Sequence, residues 1–311
     1  LPTRIVDVGA GDGSENPKLL ETRELRAEYV ALSHCWGPPE SHPLKTTWSN
    51  LHSHQSEIPW VAIPKTFQDA ISTVRGLGLR YIWIDSLCIV QDDSDEWLRE
   101  SKRMNSVYQN AVLTLASCHS PDAHTGCYLP RPPMPPSAGL PNFMESSCNA
   151  GTLRCSGEEN EASVFLALPH QSYRSLSPES SPLAVRAWAT QEWLLSRRMV
   201  FFTEGSLTWS CKTYTQRETG EKCHNTARNP KWKHIIEHYS IRKLSHWTDR
   251  MVALEGLAAE LQPLIRGVYR WGIWENGCPD QLFWYAKPST TPAQPRVRYN
   301  PLGAPTWSWV S

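Results

Sequence analysis

The sequence has no excess of charge of either sign: its 31 Lys and Arg balance 31 Asp and Glu to a formal net charge of zero. Without a field of one sign, neither nucleic acid nor an anionic membrane surface is expected as a partner. No apolar run approaches the roughly 20 residues that span a bilayer. The opening residues, LPTRIVDV, also lack the basic-then-apolar layout of a secretory signal. None of the nine cysteines forms a C-x-x-C pair, their number is odd, and they scatter from Cys35 to Cys278, so no disulfide framework is indicated. The nearest approach to a zinc-ligand set, Cys211, Cys223 and His224, is poorly spaced, and no metal is expected. Such thiols suit a reducing compartment, and a soluble, cytoplasmic protein is the expectation. Solenoid repeats and long heptad runs are missing as well. The first residue is not Met, which leads us to expect a piece of a longer chain.

Tryptophan, by contrast, is abundant. Fifteen indoles in 311 residues each need apolar cover and a partner for the N–H. They suit either a core packed by indoles or an aromatic-lined pocket for a flat ligand. The length allows one large domain or two ordinary ones, with no need of disulfide support.

Residues 29–36 (YVALSHCW) read as a buried strand ending at Gly37-Pro38-Pro39. After Pro64, the spacing of Phe67, Ala70, Ile71, Val74 and Leu77 predicts an amphipathic helix, closed by Gly76 and Gly78. Residues 80–90 (RYIWIDSLCIV) then read as a second strand, and a helix between two strands argues for a parallel pair with right-handed crossover. Asp93 and Glu96 resemble a capping box for a helix whose stripe is Trp97, Ser101, Met104, Tyr108 and Ala111. A third strand follows at 112–116.

From 120 to 181 the composition shifts to Pro, Ser, Gly and Asn, including Pro132-Pro-Met-Pro-Pro136, and predicts a loop-rich insertion with a short strand at 163–168. A helix at 185–196, a hairpin at 199–211 and helices at 232–241 and 248–262 come next, before a Trp-rich end. The fold class expected is α/β, a mostly parallel central sheet flanked by helices, with a β-hairpin and a helical C-terminal extension. In domain terms, 1–211 would form the core and 212–311 an extension packed on it.

In an open parallel sheet, ligands bind beyond the carboxyl ends of the strands, so Ser33-His34-Cys35-Trp36 and Asp85 belong on one rim. Alternation puts Ser33 and Cys35 on one face and His34 and Trp36 on the other, which makes His34 a poor base for Cys35. Cys35 is either a nucleophile or a buried small hydrophobe. Asp85 either bonds loop amides or meets a ligand. On the 185–196 helix, Trp188, Gln191, Glu192 and Leu195 fall on one stripe, placing a carboxylate on the core face. Glu192 then either pairs with Arg186 or Arg197 to fix the hairpin, or stands at a pocket wall.

Three runs resemble, in order, the signature blocks of the fungal heterokaryon-incompatibility (HET) family: Tyr29-Val-Ala-Leu-Ser-His-Cys-Trp-Gly37, Tyr81-Ile-Trp-Ile-Asp-Ser-Leu-Cys-Ile-Val-Gln91 and Arg186-Ala-Trp-Ala-Thr-Gln-Glu-Trp-Leu-Leu-Ser196. Asp249-Arg-Met-Val-Ala-Leu-Glu-Gly-Leu-Ala258 and Ala304-Pro-Thr-Trp-Ser-Trp-Val-Ser311 resemble segments that follow the core in larger members. The resemblance implies a self/non-self recognition protein whose activation causes growth arrest or cell death when different hyphae fuse, with an allelic or non-allelic recognition protein as partner. HET domains have been likened to TIR domains, some of which cleave NAD with a glutamate, so a TIR-like or flavodoxin-like core is implied. TIR domains carry a Trp four residues before that glutamate, as Trp188 precedes Glu192, although here residues 117–184 separate the third strand from the helix.

Three functions follow as expectations. The first is an effector domain that binds and hydrolyses a nucleotide such as NAD, with Glu192 orienting the ribose hydroxyls and stabilising an oxocarbenium-like transition state. Asp85, Gln191 and Arg186 would position the ligand and Trp36 or Trp188 would stack on a flat ring, with Ser33 and His34 on the same rim. NAD enters as substrate and no cofactor is expected, since Gly-x-Gly-x-x-Gly after a strand is missing. The second is a self-associating, homo-oligomeric signalling module without chemistry. The third is a Cys35-dependent hydrolase or isomerase.

Overall fold

The computed structural model describes residues 1–130, 178–204, 206–218, 222–224, 232–244, 249–265, 267–277, 280–283 and 303–309, with two short strands inside the stretch between 131 and 177. The chain opens with β1 (Arg4–Asp7), β2 (Lys18–Glu21) and β3 (Val30–Ser33), then α1 (Leu51–Ser56), α2 (Lys65–Gly76), β4 (Tyr81–Trp83), the one-turn α3 (Asp85–Cys88), α4 (Ser94–Asn110) and β5 (Leu113–Ser117). A separate ribbon of β6 (Gly139–Leu140) and β7 (Val164–Phe165) precedes α5 (Trp188–Leu195). There follow β8 (Arg198–Phe202), β9 (Leu207–Cys211), β10 (Tyr214–Arg217) and β11 (Lys222–His224), then α6 (Trp232–Ser240), α7 (Asp249–Leu261) and the pair β12 (Tyr269–Arg270) and β13 (Ile273–Trp274).

Nine strands form one sheet in the order β11-β10-β9-β8-β5-β3-β4-β1-β2. Only the pairings of β3 with β4, β3 with β5 and β5 with β8 are parallel. The expectation of a mostly parallel sheet is therefore corrected to a mixed one, parallel at its centre and antiparallel on both flanks. The reason lies in the connections: the turns from β1 to β2 and between successive strands from β8 to β11 are too short for a crossover. Within the parallel part, chain order reads second, first, third, fourth (β4, β3, β5, β8), the order of doubly wound sheets, whose direction of growth reverses between the first and third strands.

The apolar run at 80–90 is half strand and half helical turn. β4 stops at Trp83, Ile84 remains extended, and Asp85 begins α3 with its own carboxylate accepting from the Ser86 N–H at 2.7 Å. A continuous apolar run is buried in either conformation, so periodicity did not separate the two. At α4, Asp93 caps as expected, accepting from the Glu96 N–H at 2.8 Å. The box is not closed, because Glu96 is committed elsewhere: it pairs with Arg4 of β1 and accepts from the Val90 N–H at 2.9 Å. Arg4 also donates to the Cys88 carbonyl at 3.2 Å. This buried pair, with these further bonds to the Cys88 carbonyl and the Val90 N–H, fastens β1 to the turn beneath β4.

Helix α2 brings Phe67, Ala70, Ile71 and Val74 to one face of the sheet, where His34 of the β3 end meets Phe67 edge-on at 4.8 Å. Helix α4 covers the other face with Met104, Val107 and Tyr108, and the Tyr108 hydroxyl donates to the Leu32 carbonyl at 3.1 Å. The insertion expected at 120–181 lies largely outside the described residues; β7 falls within its expected strand. Among the described residues no helix is long and apolar enough to cross a membrane.

A second core joins α5 to α6, α7 and β13 through Ala187, Leu195, Trp232, Ile235, Tyr239, Leu254, Leu257 and Trp274. Here the tryptophans act as packing groups: Trp232 lies edge-on to Trp274 at 5.8 Å and donates its N–H to the Gly272 carbonyl at 2.9 Å. Helix α5 is thus enclosed by the sheet, α4 and α7, and residues Ala189, Thr190, Gln191, Glu192 and Leu195 are all buried. Gly256 in the middle of α7 has a packing reason, since a Cβ there would overlap the Gln191 amide nitrogen and lie 3.4 Å from the Asn105 Cβ. Replacing a helical Gly by Ala ordinarily stabilises by about 0.5–1 kcal/mol. At this notch Gly256→Ala should instead destabilise by about 1–3 kcal/mol through overpacking. Adding Gln191→Ala should recover the loss, and urea midpoints of the three variants check it; a stabilised single variant would refute the notch.

Candidate functional site

The site grows from the end of β3. The strand is buried throughout, and the chain leaves it through Gly37, whose φ of 81° only glycine adopts freely. A Cβ at Gly37 would lie 2.6 Å from the Ser41 Oγ and 2.7 Å from the Asp122 Cβ, so the loop folds back tightly over the strand end. Alternation divides what β3 presents. His34 and Trp36 meet Asp85 and the α2 side, whereas Ser33 and Cys35 meet α5. Ser33 closes β3 and the others lie just beyond the carboxyl ends of parallel strands, beside the reversal between β3 and β5.

On the α5 side, the Ser33 hydroxyl donates to Glu192 Oε2. Glu192 is 3% exposed. Burial pushes its carboxyl up from about 4.5 to about 7; Arg186, the Ser33 hydrogen bond and Arg242 oppose this, and Asp85 adds to it. No direct ion pair fixes Glu192 to Arg186: the half-buried guanidinium donates to the His34 carbonyl and acts on Glu192 at longer range. Burial works against the charge of Arg186, yet Glu192 and Asp85, with Cys35 and Tyr108, hold its pKa above the usual value. Arg186 therefore stands between two carboxylates with its charge secured.

On the α2 side, half-buried Asp85 accepts from the Trp36 indole N–H at 2.9 Å as well as from Ser86, and the His34 Nε2 is 3.8 Å away. Burial, aided by Arg186 and opposed by Asp85, brings the His34 pKa down to about 4, so the imidazole is neutral near pH 7. Trp36 is covered on its exposed side by His42, edge-on at 5.5 Å, and by the Lys45 ammonium at 5.9 Å.

Cys35 is 5% exposed and packs among Ala116, Cys118, Leu183, Ala189, Met199 and Phe201. Burial pushes its thiol up to about 11, the direction that suppresses the thiolate a nucleophile needs. Trp188 meets Trp97 of α4 edge-on at 6.4 Å. Gln191 turns to the seam between α4 and α7, where neither atom of its buried carboxamide has a hydrogen-bond partner among the described residues. The structure therefore gathers Ser33, Cys35, Arg186 and Glu192 on one side of β3 and His34, Trp36 and Asp85 on the other. Trp188 and Gln191 sit in the helix layer behind them.

Two residues that reach this site were not anticipated. Tyr108 of α4 lies within electrostatic range of Glu192, and Arg242, after α6, donates to the Arg186 carbonyl at 3.3 Å. The helical pattern of α4 marked Tyr108 only as core, and nothing in the local sequence distinguishes Arg242. Among the described residues no group of three or more His, Cys, Asp or Glu side chains could hold a metal ion. A separate polar cleft at the β1–β2 turn, lined by Asp7, Glu15, Lys18 and Glu57, contains none of the candidate residues.

A family model described as "Heterokaryon incompatibility protein (HET)" matches residues 29–192, from the residue before β3 to Glu192 itself and just over half of the 311-residue chain. No curated protein and no solved structure matches.

The raised pKa of Glu192 links to stability with a definite sign. Between about 4.5 and 7 the folded state holds a proton that the unfolded chain has released, so this contribution is present at low pH and is lost as pH rises through 7. Measured against Glu192→Gln, which cannot titrate, wild-type stability should fall from about pH 5 to pH 8 and then level, by about 1.4 kcal/mol for each tenfold difference in proton affinity between the folded and unfolded chains. Paired urea titrations at several pH values check this, and a difference independent of pH would show an unperturbed carboxyl.

Proposed function

Since this chain belongs to the heterokaryon-incompatibility (HET) family, we propose that it is an effector of fungal self/non-self recognition and cell death, binding and hydrolysing a nucleotide such as NAD through Glu192. The observation that carries the reading is a carboxyl 3% exposed, raised to about 7, beyond the carboxyl end of β3 and beside the reversal of strand order. The comparison of HET with TIR domains adds to it through the Trp188–Glu192 spacing.

In this reaction the Glu192 carboxylate orients the ribose hydroxyls and faces the positive charge that develops at C1′. Nicotinamide leaves as a neutral group with the bonding electron pair. Water adds to C1′ and its proton passes to the carboxylate, so the products are ADP-ribose, nicotinamide and, after exchange with solvent, a proton. A carboxyl that titrates near neutrality can both accept that proton and return to the ionised form. Arg186 supplies charge for the diphosphate, and Asp85 with Trp36 forms the opposite side of the rim. The effector acts in the cytoplasm, self-associates, and is switched on by an allelic or non-allelic recognition protein.

One observation favours a second reading, a self-associating module without chemistry: Glu192 already has an internal partner in Ser33 and is nearly closed to solvent. The thiol-dependent reading is disfavoured by a Cys35 thiol raised to about 11 within an apolar cluster.

Nicotinamide release from NAD by the concentrated protein separates the three. Glu192→Gln should lower release by at least about 100-fold, the scale of a lost acid–base or charge-stabilising group. Cys35→Ala should retain it. Loss with Cys35→Ala alone would move the case to thiol chemistry, and no release by any folded variant would support the module.

A further inference from the structure

The family match ends at Glu192, but the surroundings of Glu192 do not. The chain returns to α5 fifty residues later, directly after α6. There the Lys243 N–H donates to the Val185 carbonyl at 2.7 Å and the Ala187 N–H donates to the Lys243 carbonyl at 2.9 Å, a two-way backbone clasp across Arg186. One residue earlier, the Arg242 guanidinium donates to the Arg186 carbonyl at 3.3 Å and lies over the Trp193 ring, 5.5 Å from its centroid. Its register is set from behind, where Trp232, Ile235 and Tyr239 of α6 are buried in the core shared with α5. Arg242 thus touches one residue on each side of Glu192 along the chain, Arg186 two residues before α5 and Trp193 within it.

We propose that Arg242, contributed by the segment beyond the family match, is a positioning residue of the Glu192 site: stacked on Trp193 and bonded to the Arg186 carbonyl, it holds α5 against the end of β3 and supplies the site's second cation. The inference rests on the reading of Glu192 as the working carboxyl. Two cations beside one buried carboxyl have a chemical purpose, since Arg186 alone is shared with Asp85. The groups facing Glu192 are Ser33 and Cys35 from the β3 end, Asp85 from α3, Tyr108 from α4, and Arg186 and Arg242. Of these only the two arginines favour the ionised form by charge, so removing one must raise the carboxyl's proton affinity.

The test follows the protonation midpoint of Glu192 as the pH dependence of the stability difference between each protein and its Glu192→Gln counterpart. In Arg242→Gln the midpoint should move to higher pH, with the protonation constant increased about threefold or more. Arg242→Met, which keeps apolar cover on Trp193, should move it likewise and serves where the Gln variant does not fold. Arg242→Lys should keep the midpoint near that of the wild type. Lys212→Gln, which removes a different cation bonded to α5 at the Leu194 carbonyl, should leave it unchanged. An unmoved midpoint in Arg242→Gln or Arg242→Met would overturn the proposal, as would an equal shift in Arg242→Lys or Lys212→Gln, since lost packing alone would give that. The readout needs no substrate, so absence of nicotinamide release would sink the nucleotide reading without touching this result.

Discussion

The contact between the Ser33 hydroxyl and the Glu192 carboxyl, made across 159 residues of sequence, is the constraint around which this rim is arranged. A carboxyl out of water must either find compensation or give up its charge. Here the compensation is partial, with one hydroxyl and two cations at longer range, so the group stays poised between its two forms. The loop after β3 follows from the same constraint. Arg186, which acts on Glu192 at longer range, is held by the carbonyl of His34, and the chain leaves that strand end through the turn at Gly37.

The sheet explains why the constraint falls where it does. Parallel pairing of β4, β3, β5 and β8 brings the carboxyl ends of four adjacent strands to one rim at the centre of the sheet. Because β3 is central and buried on both faces, each residue at its end is delivered to a different layer. Ser33 goes to the helix that carries Glu192 and His34 to Phe67 of α2, with the strand itself keeping the two environments apart. A neutral histidine and a carboxyl titrating near 7 coexist a residue apart in register for this reason.

Much of this was legible in the residues, and what escaped did so for identifiable reasons. The periodicity of α2, α4 and α7 and the hairpin of β8 and β9 are local properties and could be read directly. Alternation along 33–36 was sufficient to separate Cys35 from His34. The flanking strands β1, β2, β10 and β11 were not legible as such; pairing between β1 and β4, for one, depends on tertiary contacts such as the Arg4–Glu96 pair. The 80–90 run failed because burial on all sides erases the period that distinguishes strand from turn. Gln191 was assigned to the stripe of Glu192, but α5 buries more than one face, against α4 and α7 as well as the sheet, and Gln191 lies against Gly256 instead. Arg242 could not be read at all, because its role is created by the docking of α6.

The clasp at Lys243 has a further consequence. Without the segment after β11, α5 would expose Ala187 and Leu195 and lose the strand-like bridge across Arg186. The contacts that bury the underside of α5 thus extend fifty residues and more beyond the span by which the family is recognised.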